Sequence, residues 1–179
     1  DSSCGYGAFF ELQAHLPKNR YIGNDIDSLA VNKVAEVFPK VQTFNKNALV
    51  SVSRERFGIK ESDCLVVVGN PPYNDVTSQI NQKIKTSGME IDADIRTRDL
   101  GLSSLLSYNK LAADYVAVLH PLSYLIKRQN FSAARNFFAN YRMLEHVVFN
   151  SQEFANTSKT TGFPVIVALY RREPSAGLS

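Results

Sequence analysis

Apolar runs alternate with helix-period segments along most of the chain. Phe9, Leu12 and Leu16 are spaced for one face of a helix over Ala8 to Leu16, entered from a glycine turn. Tyr21-Ile22-Gly23 follows as a short strand. Ser28 is placed to cap a helix running to Phe38, with Leu29, Val34 and Val37 inward and Pro39 as its stop. Val41 to Phe44 is the next expected strand. Cys64 to Val68 is a continuous apolar run, the pattern of a strand buried on both faces. A helix over Leu100 to Ala113, a strand over Tyr115 to Leu119 and a helix over Phe131 to Tyr141 come next. Glu145 to Phe149 and Pro164 to Tyr170 read as two antiparallel strands joined by a polar connection. The alternation predicts an α/β fold: a mostly parallel, twisted sheet with helices on both faces and a C-terminal antiparallel hairpin. Only residues 74–99 break the pattern. They are polar, show no core period, and are expected to form a mobile insertion.

Composition narrows this without changing it. The 179 residues suffice for one compact domain, and 44% hydrophobic with 21% charged residues is ordinary for a globular protein. No apolar run approaches the roughly 20 residues that cross a bilayer, so no membrane association is expected. Cys4 and Cys64 cannot build a disulfide framework, and no His/Cys cluster has metal-ligand spacing. A reducing, cytoplasmic setting without a structural metal is the expectation; His15, His120 and His146 read as structural. Through Asp99 the chain carries 12 basic and 13 acidic residues; beyond it, 8 and 4. Lys127, Arg128, Arg135, Arg142, Lys159, Arg171 and Arg172 could therefore form a face for a polyanion, or be scattered surface charge.

Three places carry candidate chemistry. Asp1-Ser2-Ser3-Cys4-Gly5-Tyr6-Gly7-Ala8-Phe9 is a glycine turn opening a helix, where backbone N–H groups are free and a ligand can approach closely. Asp25, at the end of the next strand, is placed to accept hydrogen bonds from ribose hydroxyls, whereas Asp27 is the better helix cap. Asn70-Pro71-Pro72-Tyr73 directly follows the apolar strand. Its two prolines remove two donors and stiffen a turn that presents carbonyl acceptors.

In this order, Asp-x-x-Cys-Gly-x-Gly-Ala-Phe, an acidic strand end and Asn-Pro-Pro-Tyr resemble the S-adenosylmethionine-dependent adenine-N6 DNA methyltransferases of restriction-modification systems. Tyr115 to Leu125 and Phe149 to Tyr170 look like that family's fifth strand and closing hairpin. The resemblance implies a Rossmann-like class I methyltransferase fold, S-adenosylmethionine as cofactor and DNA as partner. It places Asp1, Cys4, Gly5 and Gly7 along the methionine end of the cofactor, Asp25 on its ribose and Ile26 on its adenine. Asn47 and Ala48 would stand near the adenine N6, where the family usually has Asp. The catalytic segment would be Asn70, Pro71, Pro72 and Tyr73, with Tyr73 stacking on the target base and Phe154 a candidate for its opposite face. It further implies a catalytic core with a strand before Asp1, a DNA-recognition domain after the hairpin, and a restriction endonuclease or specificity domain in the same chain or operon. The same tetrapeptide serves enzymes that modify RNA or a protein glutamine, and a cofactor-binding fragment inactive alone is a third reading.

Overall fold

The computed structural model describes residues 1–72, 90–154 and 162–173. A 3-10 helix at Ala8–Ala14 is followed by strand β1 (Tyr21–Asp25), helix α1 (Ser28–Val37) and β2 (Val41–Asn45). A second 3-10 turn at Glu55–Phe57 leads to β3 (Val66–Gly69). After the segment 73–89, which lies outside the described residues, come α2 (Leu100–Lys110) and β4 (Tyr115–Pro121). Three short helices, α3 (Ser123–Ile126), α4 (Arg128–Ala133) and α5 (Arg135–Asn140), lead to β5 (Tyr141–Asn150). A 3-10 turn at Ser151–Glu153 precedes β6 (Pro164–Arg172).

The strands β1 and β2 pair in parallel, and a second sheet has the order β3-β4-β6-β5. Within it β3 and β4 are parallel, with Gly69 opposite Val118, while β6 runs antiparallel to both β4 and β5. The class and the closing hairpin are those expected. Asp1 continues the first sheet: its N–H donates to Ile22 O and its carbonyl accepts from Asn24 N–H, both at 2.9 Å, a parallel pairing alongside β1. Between β1 and β3 lies a cleft of about 690 Å³, lined by Ile22, Leu65, Val67 and Leu111 among others.

Local packing departs from simple periodicity in four places. In the first helix Phe10 is the buried residue, while Leu12 and Leu16 are exposed. Its ring occupies space left by glycines: a Cβ would lie 3.0 Å from it at Gly7 and 2.8 Å at Gly23. Asp27, not Ser28, caps α1, its carboxylate accepting from Leu29 N–H at 2.9 Å. Entered this way, α1 buries Ala30, Val31 and Val34 and leaves Leu29 and Val37 in solvent. β3 borders the cleft, so it is not buried on both faces, and Val66 and Cys64 are exposed. The expected helix over Phe131 to Tyr141 breaks at Ala134, which places Phe131 flat against Phe138 at 4.9 Å.

Of the expected insertion, residues 74–89 lie outside the described residues; in residues 90–99, where no core period is expected, Ile91 and Ile95 are buried and their polar neighbours are hydrogen-bonded. Asp92 accepts from Ser51 and Val52 N–H at 2.8 and 3.0 Å and from Lys110 Nζ at 2.9 Å. Asp99 caps α2 through Gly101 and Leu102 N–H and accepts from the Tyr124 hydroxyl.

Candidate active site at the carboxyl end of the sheet

Glycine conformation and one carboxylate shape the first turn. Gly5 and Gly7 have φ of +50° and +87°, a region that favours glycine. The Gly5 N–H donates to Asp25 Oδ2 at 2.8 Å, and Asp27 N–H to Asp25 Oδ1 at 3.0 Å. Each carboxylate oxygen therefore holds one backbone donor and keeps lone-pair capacity for another. A Cβ at Gly5 would meet nothing within 4 Å, so space opens against the turn. Tyr6 and Ile26 flank it with side chains 69% and 60% exposed. The Cys4 thiol is buried, and burial with the nearby Asp25 carboxylate raises its pKa, so it stays neutral.

The second turn is tied to the first. The Asp1 carboxylate accepts Ser3 N–H at 3.1 Å and lies 3.5 Å from where a Gly69 Cβ would stand; Tyr108 Oη is 3.4 Å from the same point. Tyr108, fully buried on α2, hydrogen-bonds Ser2 Oγ at 3.2 Å. Gly69 is thus held under the glycine turn, and Asn70 emerges exposed beside it, followed by buried Pro71 and exposed Pro72. Tyr73 lies outside the described residues. Phe154 is at the same end of the sheet, beyond Asn150 of β5, with its ring edge-on to Phe149 at 5.5 Å.

Asn47 forms a turn of its own. Its side-chain oxygen accepts Leu49 N–H at 3.0 Å and its amide donates to Glu90 O at 2.8 Å, so the side chain shapes the loop between β2 and the second 3-10 turn. Arg56 holds the same loop by donating to Asn47 O at 2.8 Å and to Val50 O. Ser51 sits at φ +50°, a strained position for a non-glycine residue, and Asp92 secures it.

Sequence patterns did not reveal Asn24, which ties the segment before the glycine turn to the start of the Asn47 loop. It is 1% exposed, and its amide donates to Ser2 O and Lys46 O at 2.9 and 3.0 Å while its oxygen accepts Lys46 N–H at 3.1 Å. The signal available was a polar residue inside an otherwise pairing strand end.

Asp92→Ala is expected to lower the unfolding temperature and to flatten its acid dependence. Hydrogen bonds from Val52 N–H, Lys110 and Ser51 N–H hold the Asp92 carboxyl at about 2, below the usual 3.8. Its stabilisation is therefore complete above 3.8 and is lost as the pH falls through about 2. Thermal melts of both proteins across that window test this, and parallel curves would remove the role.

No protein-family model matches the chain, and no curated protein sequence matches it. Solved structures do. A type I restriction-modification methyltransferase subunit from Streptococcus thermophilus superposes with TM-score 0.59 at 14% identity, over 97% of this chain and 39% of that one. A protein from Listeria monocytogenes assigned as a class I S-adenosylmethionine-dependent methyltransferase gives 0.59 at 13%, over 96% and 52%. One from Pyrococcus horikoshii assigned as an RNA methyltransferase gives 0.55 at 15%, over 96% and 72%. The fold is that of the class I methyltransferases. Within it, the two turns described above lie at the carboxyl ends of β1 and β3, where open α/β sheets bind their ligands.

Proposed function

We propose that the chain is the catalytic core of an S-adenosylmethionine-dependent methyltransferase acting on the N6 amino group of adenine in DNA, within a restriction-modification system. One observation carries this reading. A single constellation joins the glycine turn, pinned by Asp25 through Gly5, to the strand end from which Asn70 and Pro71 emerge, through Asp1 and Gly69. The residues fit the cofactor: a carboxylate with spare acceptor capacity, an open glycine surface and an exposed apolar Ile26 are what a ribose, a close-lying methionine end and an adenine ring require. Asn47 contributes by shaping its loop, leaving the half-buried Ala48 beside it for contact.

S-adenosylmethionine supplies an electrophilic sulfonium methyl when bound. The chain's own residues make the amine a nucleophile. An adenine N6 lone pair is delocalised into the ring, and the Asn70 Oδ1 and Pro71 carbonyl, each accepting one N6 hydrogen, favour the tetrahedral nitrogen that can attack. Orientation and fixed dipoles supply the rate. Tyr73 stacks on the extruded base, and Phe154 is the candidate for its opposite face, since a base inside a duplex cannot reach such a pocket.

Calorimetry with S-adenosylmethionine and transfer of a labelled methyl group to duplex DNA, RNA and a glutamine peptide test the proposal. Binding of the cofactor with transfer to DNA adenine is expected. Transfer only to RNA, an activity consistent with the Pyrococcus structure, or only to the peptide would replace the substrate assignment; no binding at all would end it.

A further inference from the structure

We infer that Arg98, Lys127 and Arg128 form a basic arc beside the Asn70 turn that grips the phosphates of the nucleic acid whose base enters the site. The inference rests on the nucleic-acid reading above and adds to it which cations make the contact.

Topology selects these three from many basic residues. β4 is the direct neighbour of β3, and it continues three residues beyond Val118, the partner of Gly69. α3 starts two residues after β4 ends, so it lies at the end of the sheet from which Asn70 emerges. Its Tyr124 donates to Asp99, the cap of α2, which brings the N-terminal end of α2 to the same place. Arg98 precedes Asp99, and Lys127 follows Tyr124 by three residues at the extended break between α3 and α4. Two separate elements thus deliver cations to either side of one hydrogen bond. Arg98, Lys127 and Arg128 are exposed, and none forms an ion pair among the described residues. Asp99, the nearest carboxylate in sequence, is occupied by Gly101, Leu102 and Tyr124.

Several other basic residues are differently placed. Arg171 pairs with Tyr115 and Arg172 with Tyr141, at the opposite end of the sheet, and Arg142 lies across from Arg171. Arg142 and Arg171 share the one Glu173 carboxylate as an ion-pair partner. Lys110 is held by Asp92 and Asp94. Of the seven residues named as a possible basic face, Arg142, Arg171 and Arg172 are therefore turned away from the site, and Lys159 lies outside the described residues. Extruding a base demands that the backbone flanking it be held, and exposed unpaired cations at the rim of the site provide that without reading sequence.

The test compares two triple variants: Arg98→Gln/Lys127→Gln/Arg128→Gln, and Arg142→Gln/Arg171→Gln/Arg172→Gln as the control. Binding of a fluorescein-labelled duplex is followed by anisotropy between about 50 and 200 mM salt, where each lost phosphate contact reduces the slope of log K against log salt by about 0.9. The arc variant is expected to lose about 2 to 3 from the magnitude of that slope and about tenfold or more in affinity. The control should keep both, and calorimetry should show S-adenosylmethionine affinity unchanged in each. Equal losses in the two variants would mean diffuse charge, and a wild-type slope in the arc variant would mean no contact; either overturns the arc while wild-type DNA binding leaves the functional reading intact. A wild-type protein that binds no nucleic acid but methylates a glutamine peptide would overturn both.

Discussion

Asn70→Ala is expected to reduce methyl transfer by about 10²-fold or more while leaving S-adenosylmethionine affinity within about twofold and the unfolding temperature unchanged. The size follows from what removing one preorganised dipole costs at a developing charge, ~2.7–4 kcal/mol. The separation of effects follows from position. Gly69 is buried under the Asp1 carboxylate and Tyr108, so the backbone is held by its neighbours, whereas the Asn70 side chain is exposed and supports no core contact. Asp25 and Gly5, which shape the cofactor turn, belong to other elements. Asn70→Asp keeps an acceptor and is expected to retain more activity than Asn70→Ala. Single-turnover transfer of a labelled methyl to duplex DNA gives the rate, and calorimetry gives the affinity. Wild-type turnover in Asn70→Ala would remove the proposed mechanism; a parallel loss of cofactor affinity would make Asn70 a binding residue instead.

How far such a site is legible without coordinates depends on whether its residues act locally. The Asp25–Gly5 pairing spans 20 residues but joins two recognisable signals, a glycine turn and an acidic strand end, and both are where their patterns place them. Strands β4 and β6 were legible as apolar runs, and β1 and β2 as short segments set between turn and helix signals. Helix faces were less so. Phe10 rather than Phe9 turns inward because Gly7 and Gly23, one from each neighbouring element, leave room for its ring, and periodicity carries no trace of that. Residues 90–99 look like a solvated excursion because they are polar, yet Asp92, Thr97 and Asp99 are spent on backbone N–H groups and on Lys110 and Tyr124. Composition cannot distinguish a polar side chain facing water from one facing an amide. The same limit hid Asn24 and Arg54, whose partners are mostly carbonyls from distant segments.

Arg54→Met should destabilise the protein by ~3–5 kcal/mol, since it leaves several part-buried carbonyls unpaired at about 1–3 kcal/mol each, less what water recovers. Arg54 is 7% exposed. Its Nε donates to Leu111 O at 2.8 Å, Nη1 to Lys60 O and Asp63 O at 3.1 and 2.8 Å, and Nη2 to Ala112 O at 2.8 Å. Asp114 stands 3.7 Å away. Methionine fills much of the volume but leaves those carbonyls without their donor, a penalty larger than the bonds themselves are worth. Two of the carbonyls end α2, where Ala112 holds a φ of +49°, and two belong to the loop that enters β3. One guanidinium therefore fixes the entries to β3, whose opposite end carries Asn70, and to its parallel neighbour β4. A domain of this length loses about 2–4 °C per kcal/mol, so the unfolding temperature should fall by about 10 °C. Arg54→Lys should recover little, because an ammonium lacks the planar fork that reaches segments on two sides. At a temperature where the variant is folded, the rate of methyl transfer should stay within about threefold of wild type, since Arg54 touches neither turn. Denaturant unfolding followed by single-turnover assays at low temperature separates the two quantities, and a loss of less than about 1 kcal/mol would show that water replaces the guanidinium.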